Sequence, residues 1–376
     1  MDQSSSWSDK LKDTWWSIKR NRSAKIATVA ILVLCSVLGI VYAALRYYGK
    51  LPWQTTTSTT GEVTTNQNTA VVDLSGTSPR QLDGLEVATI DSNRFPIAVM
   101  IENLVDIRPQ SGLSNAGLVY EALAEGGITR FMAVYTTSDD IAEIGPIRSA
   151  RHYFVDWAEE YSGIYAYVGG SPQALGVTDS SNYITDLNQF YNAAYYYRAD
   201  DIEAPHNLFS SSELFSYALR DLQLADTAGD YTAYTFKAMV GMAERPNTVA
   251  PITINYSSAD YQVAWQYDAV TNLYRRWNGG VAQVDANTEQ PIAASNIVVQ
   301  RVNTTVLEAA TGRLDMETIG SGEAILFQDG AVHLGSWKKG ERGERTLFYD
   351  QTGTVWSFNP GQTWIEVVPT DTAVTY

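Results

Sequence analysis

Apolar and polar positions divide this chain into three stretches of different character. Ile26 to Leu45 is a run of 20 residues without a charge, long enough at about 1.5 Å per residue to cross a hydrocarbon layer of about 30 Å. It predicts a transmembrane helix over 26–45. From Thr55 to Ala70 the chain is Thr, Ser, Asn and Gln with few large apolar residues, too little to bury for the stretch to order itself. Residues 46–95 therefore read as a flexible linker, with Leu82 to Ile90 an entry strand or loop. Beyond Pro96 short apolar runs and turn residues alternate to the end of the chain.

The runs from Pro96 to Tyr231 mix two periodicities. Ile97–Ile101, Phe131–Tyr135 and Ile164–Val168 are apolar strands, the last closed by Gly169-Gly170. Leu118, Val119, Ala122 and Leu123 have helical spacing, and Ser149–Glu160 reads as a helix after the Gly145-Pro146 turn. Serines before Leu214, Phe215, Ala218, Leu219 and Leu222 predict a helix from about Ser211 to Gln223. Tyr183 to Asp201 is an aromatic, mixed loop. From Ile252 the pattern changes to nine short runs, the last Thr363–Val368, with hairpin turns such as Asn278-Gly279 and Asp329-Gly330. The fold class is α+β: an N-terminal α/β layered domain (96–231) followed by a β-rich C-terminal domain (232–376), a sandwich or small barrel, preceded by one transmembrane helix.

Charge fixes the orientation. Lys19, Arg20, Arg22 and Lys25 crowd the N-terminal flank of the apolar run, so the positive-inside rule places residues 1–25 in the cytoplasm and the main body outside the cell. That short tail, with Trp7, Trp15 and Trp16 among lysines, either lies on the inner membrane surface or is a plain tail. A cleaved signal peptide is the alternative, given Ala43-Ala44, but the run exceeds a usual signal core. A lipoprotein signal at Cys35 is disfavoured by the bulky Leu32-Val33-Leu34 before it. The first 50 residues carry 8 basic and 3 acidic side chains, leaving 18 basic against 39 acidic for the rest, a net charge of −21. Such a body repels nucleic acid.

Cys35 is the only cysteine and His152, His206 and His333 the only histidines. Disulfides, a thiolate nucleophile and a histidine-rich metal centre are thereby excluded, and no cofactor or metal is expected. No phosphate-cradling glycine loop, Gly-x-Ser-x-Gly elbow or His-Glu-x-x-His occurs.

The candidate chemistry centres on Gly145–Arg151. Arg148 and Arg151, three apart at a helix entrance, would share one face with unpaired backbone N–H groups and Ser149, a site for a carboxylate, phosphate or acidic sugar. Alternatively both pair internally with acidic residues such as Glu121 and Glu125. Those two glutamates, at i, i+4 on the expected helix, could converge as general acid and base with His206 of Ala204-Pro205-His206-Asn207. Arg130 and Asn207 complete the ligand-binding set. Trp337 with Lys338, and Trp364, either offer stacking platforms for sugars or pack in the core.

Several ordered motifs carry a resemblance: Pro96–Asn103, Arg108–Leu113, Val119–Glu121, Glu125–Arg130, Gly145–Arg151, Val168–Ser171 and Ala204–Leu208, then Gly335-x-Trp337-Lys338, Phe348-x-Asp350 and Pro360-Gly361-x-Thr363-Trp364. Together they resemble the YerB-like family of bacterial lipoproteins, the domain of unknown function 3048, with its C-terminal companion domain. The resemblance implies a bacterial, extracytoplasmic, membrane-attached protein and supplies no reaction. The chain departs from it in lacking a lipobox, which favours the transmembrane helix.

These readings converge on a single-pass cell-envelope protein, partnered by the membrane through 26–45, that binds an anionic or glycan/peptide ligand through an arginine-rich cleft. The alternatives are a cell-wall-polymer hydrolase or lyase, and a scaffold for envelope proteins that uses the aromatic second domain.

Overall fold

Ten strands drawn from both halves of the chain make one continuous mixed sheet. In the computed structural model, which describes residues 76–136 and 140–376, the first half supplies β1 (Ile97–Glu102), β2 (Leu118–Leu123), β3 (Thr129–Tyr135), β4 (Ile164–Tyr167) and β5 (Thr185–Asn188). The second half follows with β6 (Thr235–Phe236), β7 (Ile252–Asn255), β8 (Gln262–Asp268), β9 (Leu273–Asn278), β10 (Asn296–Val302), β11 (Gly320–Gln328), β12 (Ala331–Lys339), β13 (Leu347–Asp350), β14 (Ser357–Phe358), β15 (Thr363–Pro369) and β16 (Val374–Thr375). The large sheet runs β13-β12-β11-β10-β15-β2-β3-β1-β4-β5. β15 lies parallel between β10 and β2, so the last long strand joins the two halves.

Side chains alternate across such a sheet, and cross-strand partners share a face. Arg130 lies opposite both Glu102 and Ala122, whereas Glu121 lies opposite Phe131 and Glu366. The first face is covered by helix α1 (His152–Ala158), where Trp157 stacks on Tyr120 at 5.5 Å and Tyr153 donates to Leu123 O. The second face is covered by a smaller sheet built on β9-β8-β7-β16, with Trp265 edge-on to Trp364 at 5.3 Å.

Several expectations change. Residues 118–123 form a strand, not a helix: all six are buried because the central sheet is covered on both faces, which erases the alternation that would reveal a strand. Glu121 and Glu125 consequently share no helix face. The helix expected from Ser149 begins at His152, because residues 146–150 are held extended: Pro146 O accepts from Glu102 N, Arg148 N donates to Met100 O and Ala150 N to Gly169 O. Arg148 and Arg151 therefore do not share a helix face, and Arg151 is the extended residue before the first turn. The aromatic loop 183–201 contains the edge strand β5, preceded by a helix, α2 (Pro172–Ser180), capped by Ser171. The helix expected at Ser211–Gln223 is α3 (Ser212–Asp221), with the Ser211 hydroxyl accepting from Leu214 N at 3.2 Å. Trp337 and Trp364 are core residues.

Residues 76–95, read as the end of a linker, are folded. Thr77–Pro79 pairs with Glu86–Ala88, Arg80 and Asp83 form a buried ion pair, and Leu82 is buried beside Gly117. No helix among the described residues is long and apolar enough to cross a membrane. The cytoplasmic tail, the transmembrane helix at 26–45 and the linker up to residue 75 lie outside the described residues.

Candidate functional site

β1, β4 and β5 run parallel and end together, followed by Asn103, by Val168-Gly169-Gly170 and by Gln189-Phe190-Tyr191. The carboxyl ends of parallel strands are where loops open and ligands are commonly held. Gly145–Arg151 crosses this end, hydrogen-bonded to β1 on one side and to Val168–Ser171 on the other.

Charge collects there in two adjoining networks. Glu102, the last residue of β1, forms an ion pair with Arg148, whose Nε is 3.0 Å from one carboxylate oxygen, and lies 2.9 Å from His206 Nδ1 through the other. Glu125 accepts from Arg151 through both oxygens, the contact from Nη2 being 2.6 Å, and from Arg130 at 3.4 Å. Arg130 also donates to Ser149 O at 3.0 Å, stitching the two arginine-bearing segments together. Burial pushes the Glu125 carboxyl up, but the hydrogen bonds from Arg151 and the charges of Arg130 and Arg151 outweigh it, and the group sits below its ordinary value. Burial, reinforced by the charge of Arg151, lowers Arg130 to about 10, which leaves it a cation at neutral pH.

Three guanidiniums thus face two carboxylates. His206 is a quarter exposed, and its Nε2 makes no hydrogen bond among the described residues. Phe190 and Tyr191 are exposed on the turn after β5, with the Phe190 ring against Gly169, whose left-handed backbone leaves no room for a side chain under the ring.

The other residues singled out from the sequence fall elsewhere. Asn207 accepts from Arg198 Nη1 at 2.8 Å and donates to Ala199 O at 3.0 Å. Glu121 lies on the opposite face of the sheet, fully buried. There it accepts from Thr129 Oγ1 at 2.6 Å and pairs with Arg276, whose guanidinium also lies 3.9 Å from Glu366 and 4.5 Å from the Trp364 ring. Burial, then the charge of Glu121, raises Glu366 to about 8. Sequence reasoning gave no role to Glu102 or Phe190. An acidic residue ending an otherwise apolar strand was the available signal for Glu102.

Chemically, the patch can bind an anion next to a ring face, and the Glu102–His206 contact can orient an imidazole for proton transfer. Among the described residues no group of three or more His, Cys, Asp and Glu side chains could hold a metal ion.

Residues 82–225 match the family model described as the N-terminal domain of a protein of unknown function, DUF3048, and residues 252–365 match its C-terminal domain. The chain is 32% identical over 313 residues to the "Putative lipoprotein YerB" of Bacillus subtilis (strain 168), covering 82% of this chain and 91% of that protein. The crystal structure of YerB protein from Bacillus subtilis superposes with a TM-score of 0.69 at 30% identity, over 79% of this chain and 99% of the other.

Proposed function

The chain belongs to the DUF3048 family, with both of its domains, and from that membership we propose a membrane-attached, extracytoplasmic protein of the cell envelope that binds an anionic glycan or peptide. The ligand's acidic group is held by Arg148, Arg151 and Arg130, with Ser149 and His206 at its edge and a ring face on Phe190 and Tyr191. One observation carries the reading: three guanidiniums against two carboxylates leave a positive surplus at the ends of β1, β4 and β5, on a body whose net charge is −21. Attachment is supported by the uncharged run at 26–45 and by the relative's name as a lipoprotein.

Incubation with purified bacterial sacculi tests this. The protein is expected to sediment with them, and Arg148→Ala to weaken that binding by roughly tenfold, the effect of one charge-assisted contact. Unchanged binding by the variant removes the arginine patch from the reading. A second reading, hydrolase or lyase action on the wall polymer, is favoured by the 2.9 Å contact between His206 and Glu102. Released fragments that vanish in His206→Ala, with binding kept, would establish it in place of simple recognition.

A further inference from the structure

Far from the arginine patch, two short strands bring a lysine and an asparagine side by side. β6 and β14 pair in parallel, and the register is extended by Lys237 N donating to Phe358 O at 2.9 Å. The residues that follow the two strands, Lys237 and Asn359, thus emerge next to each other. Lys237 Nζ lies 2.8 Å from Asn359 Oδ1. It also lies 2.6 Å from Asp329 Oδ2, while Asp329 Oδ1 accepts from Asn359 Nδ2 at 2.8 Å. One carboxyl group therefore bridges the amine and the amide nitrogen.

The trio is built into the fold. Asn359 is fully buried and Asp329 nearly so. Asp329 takes a left-handed conformation with φ 55° at the Asp329-Gly330 turn between β11 and β12, which fixes where its side chain starts. Its Oδ1 also accepts from Asn272 Nδ2 at 2.7 Å, and Asn272 is held in turn by the Tyr267 hydroxyl at 2.7 Å. About a third of the Lys237 side chain reaches solvent, enough for a small product to leave.

We propose that the folded protein joins Lys237 to Asn359 by an intramolecular amide bond, with Asp329 as the proton carrier. The resting state is an ammonium and a carboxylate, and the 2.6 Å hydrogen bond is the path by which Nζ passes a proton to Asp329 Oδ2. The freed amine adds to the Asn359 carbonyl carbon, forming the new C–N bond. The carbon–Nδ2 bond then breaks as Asp329 delivers a proton to Nδ2 through Oδ1. The asparagine nitrogen leaves as ammonium, taking the second proton lost by Nζ, and Asp329 is again a carboxylate. The step is redox-neutral and consumes no co-reactant. A fixed amine and carbonyl replace a bimolecular encounter, which removes part of the barrier to amide exchange, while proton transfer through Asp329 assists the departure of the asparagine nitrogen. The bond would tie residues 122 positions apart in a chain whose only cysteine is Cys35, where no disulfide can do so.

Mass spectrometry of the full-length purified protein decides the matter. The expected mass is below that of the sequence by one ammonia, and trypsin should leave a branched peptide joining the segments around Lys237 and Asn359. Lys237→Arg and Asp329→Asn, the latter compatible with the left-handed turn, should each restore the sequence mass while circular dichroism stays native. A wild-type protein of full sequence mass, with cleavage after Lys237, overturns the proposal, as does ammonia loss without the branched peptide. A branched peptide that persists in Asp329→Asn overturns the role given to Asp329.

Discussion

Glu366 shows how far one side chain can depart from its usual behaviour when the sheet places it. It lies opposite Glu121 in register, accepts from Trp265 Nε1 at 2.8 Å and Tyr256 at 2.9 Å, and shares Arg276 with Glu121 in a site closed to water. Arg276 can neutralise one carboxylate, so the folded protein keeps a proton on the pair, and Glu366 is raised to about 8 from its ordinary 4.5. Between those values the unfolded chain gives up that proton first. The group's contribution to stability is therefore complete below about pH 4.5 and lost as pH rises towards 8. Glu366→Gln should flatten this slope and stabilise the protein at pH 9 by on the order of 1–3 kcal/mol. Urea denaturation at pH 5, 7 and 9 would read it, and an unchanged slope would sink the assignment. None of this was legible in the sequence, where Glu121 and Glu366 are 245 positions apart and only strand register makes them neighbours.

At the scale of elements, α1 is anchored by the short 3-10 turn that continues it, Glu159–Tyr161. Glu160, fully buried, accepts from Lys339 Nζ at 3.0 Å, Arg345 Nη1 at 3.3 Å, Thr346 N at 3.1 Å and Thr346 Oγ1 at 2.6 Å, so the helix end grips the connection between β12 and β13. Arg345 is further sandwiched between Tyr161 and Tyr234, 4.2 and 4.0 Å from the ring centroids. Glu160→Gln removes the only carboxylate paired with these two buried cations among the described residues. The expected loss is about 3–5 kcal/mol, as for breaking a buried ion pair from one side. Thermal unfolding measures it, and a loss under about 1 kcal/mol would contradict the ion-pair account. The element-level reading from sequence succeeded at β1, β3 and β4, continuous apolar runs buried throughout, and where one face meets water. β8 alternates buried and half-exposed positions, and α3 carries a serine cap and an apolar stripe. It failed at β2, buried on both faces, and at the polar edge strand β5.

For the whole molecule, the sequence showed a change of character after Tyr231 but not that the two halves complete each other. β2 is flanked by β15 from the second half, and the face carrying Glu121 and Phe131 is covered by Trp265 and Arg276. A fragment ending at residue 231 would expose that strand edge and that apolar face to water. Expressed alone, residues 76–231 should show no cooperative melting transition, whereas the intact body should melt as one unit. A fragment that melts sharply by itself would refute the interdependence. The arginine patch was legible in part for a related reason. The Gly-Pro turn and paired arginines are local signals, but which acids meet them depends on β1 and β3 lying side by side.

The position of β15 also sets an order of events in time. Thr363–Pro369 follows the other nine strands of the ten-stranded sheet in the chain, yet it occupies the middle of that sheet. Until it emerges from the ribosome, the earlier strands amount to two separate sheets, each with an open edge where β15 will lie. Closure of the ten-stranded sheet therefore waits for β15, and a ribosome halted anywhere before Thr363 leaves that sheet in two pieces rather than yielding a slightly shorter protein.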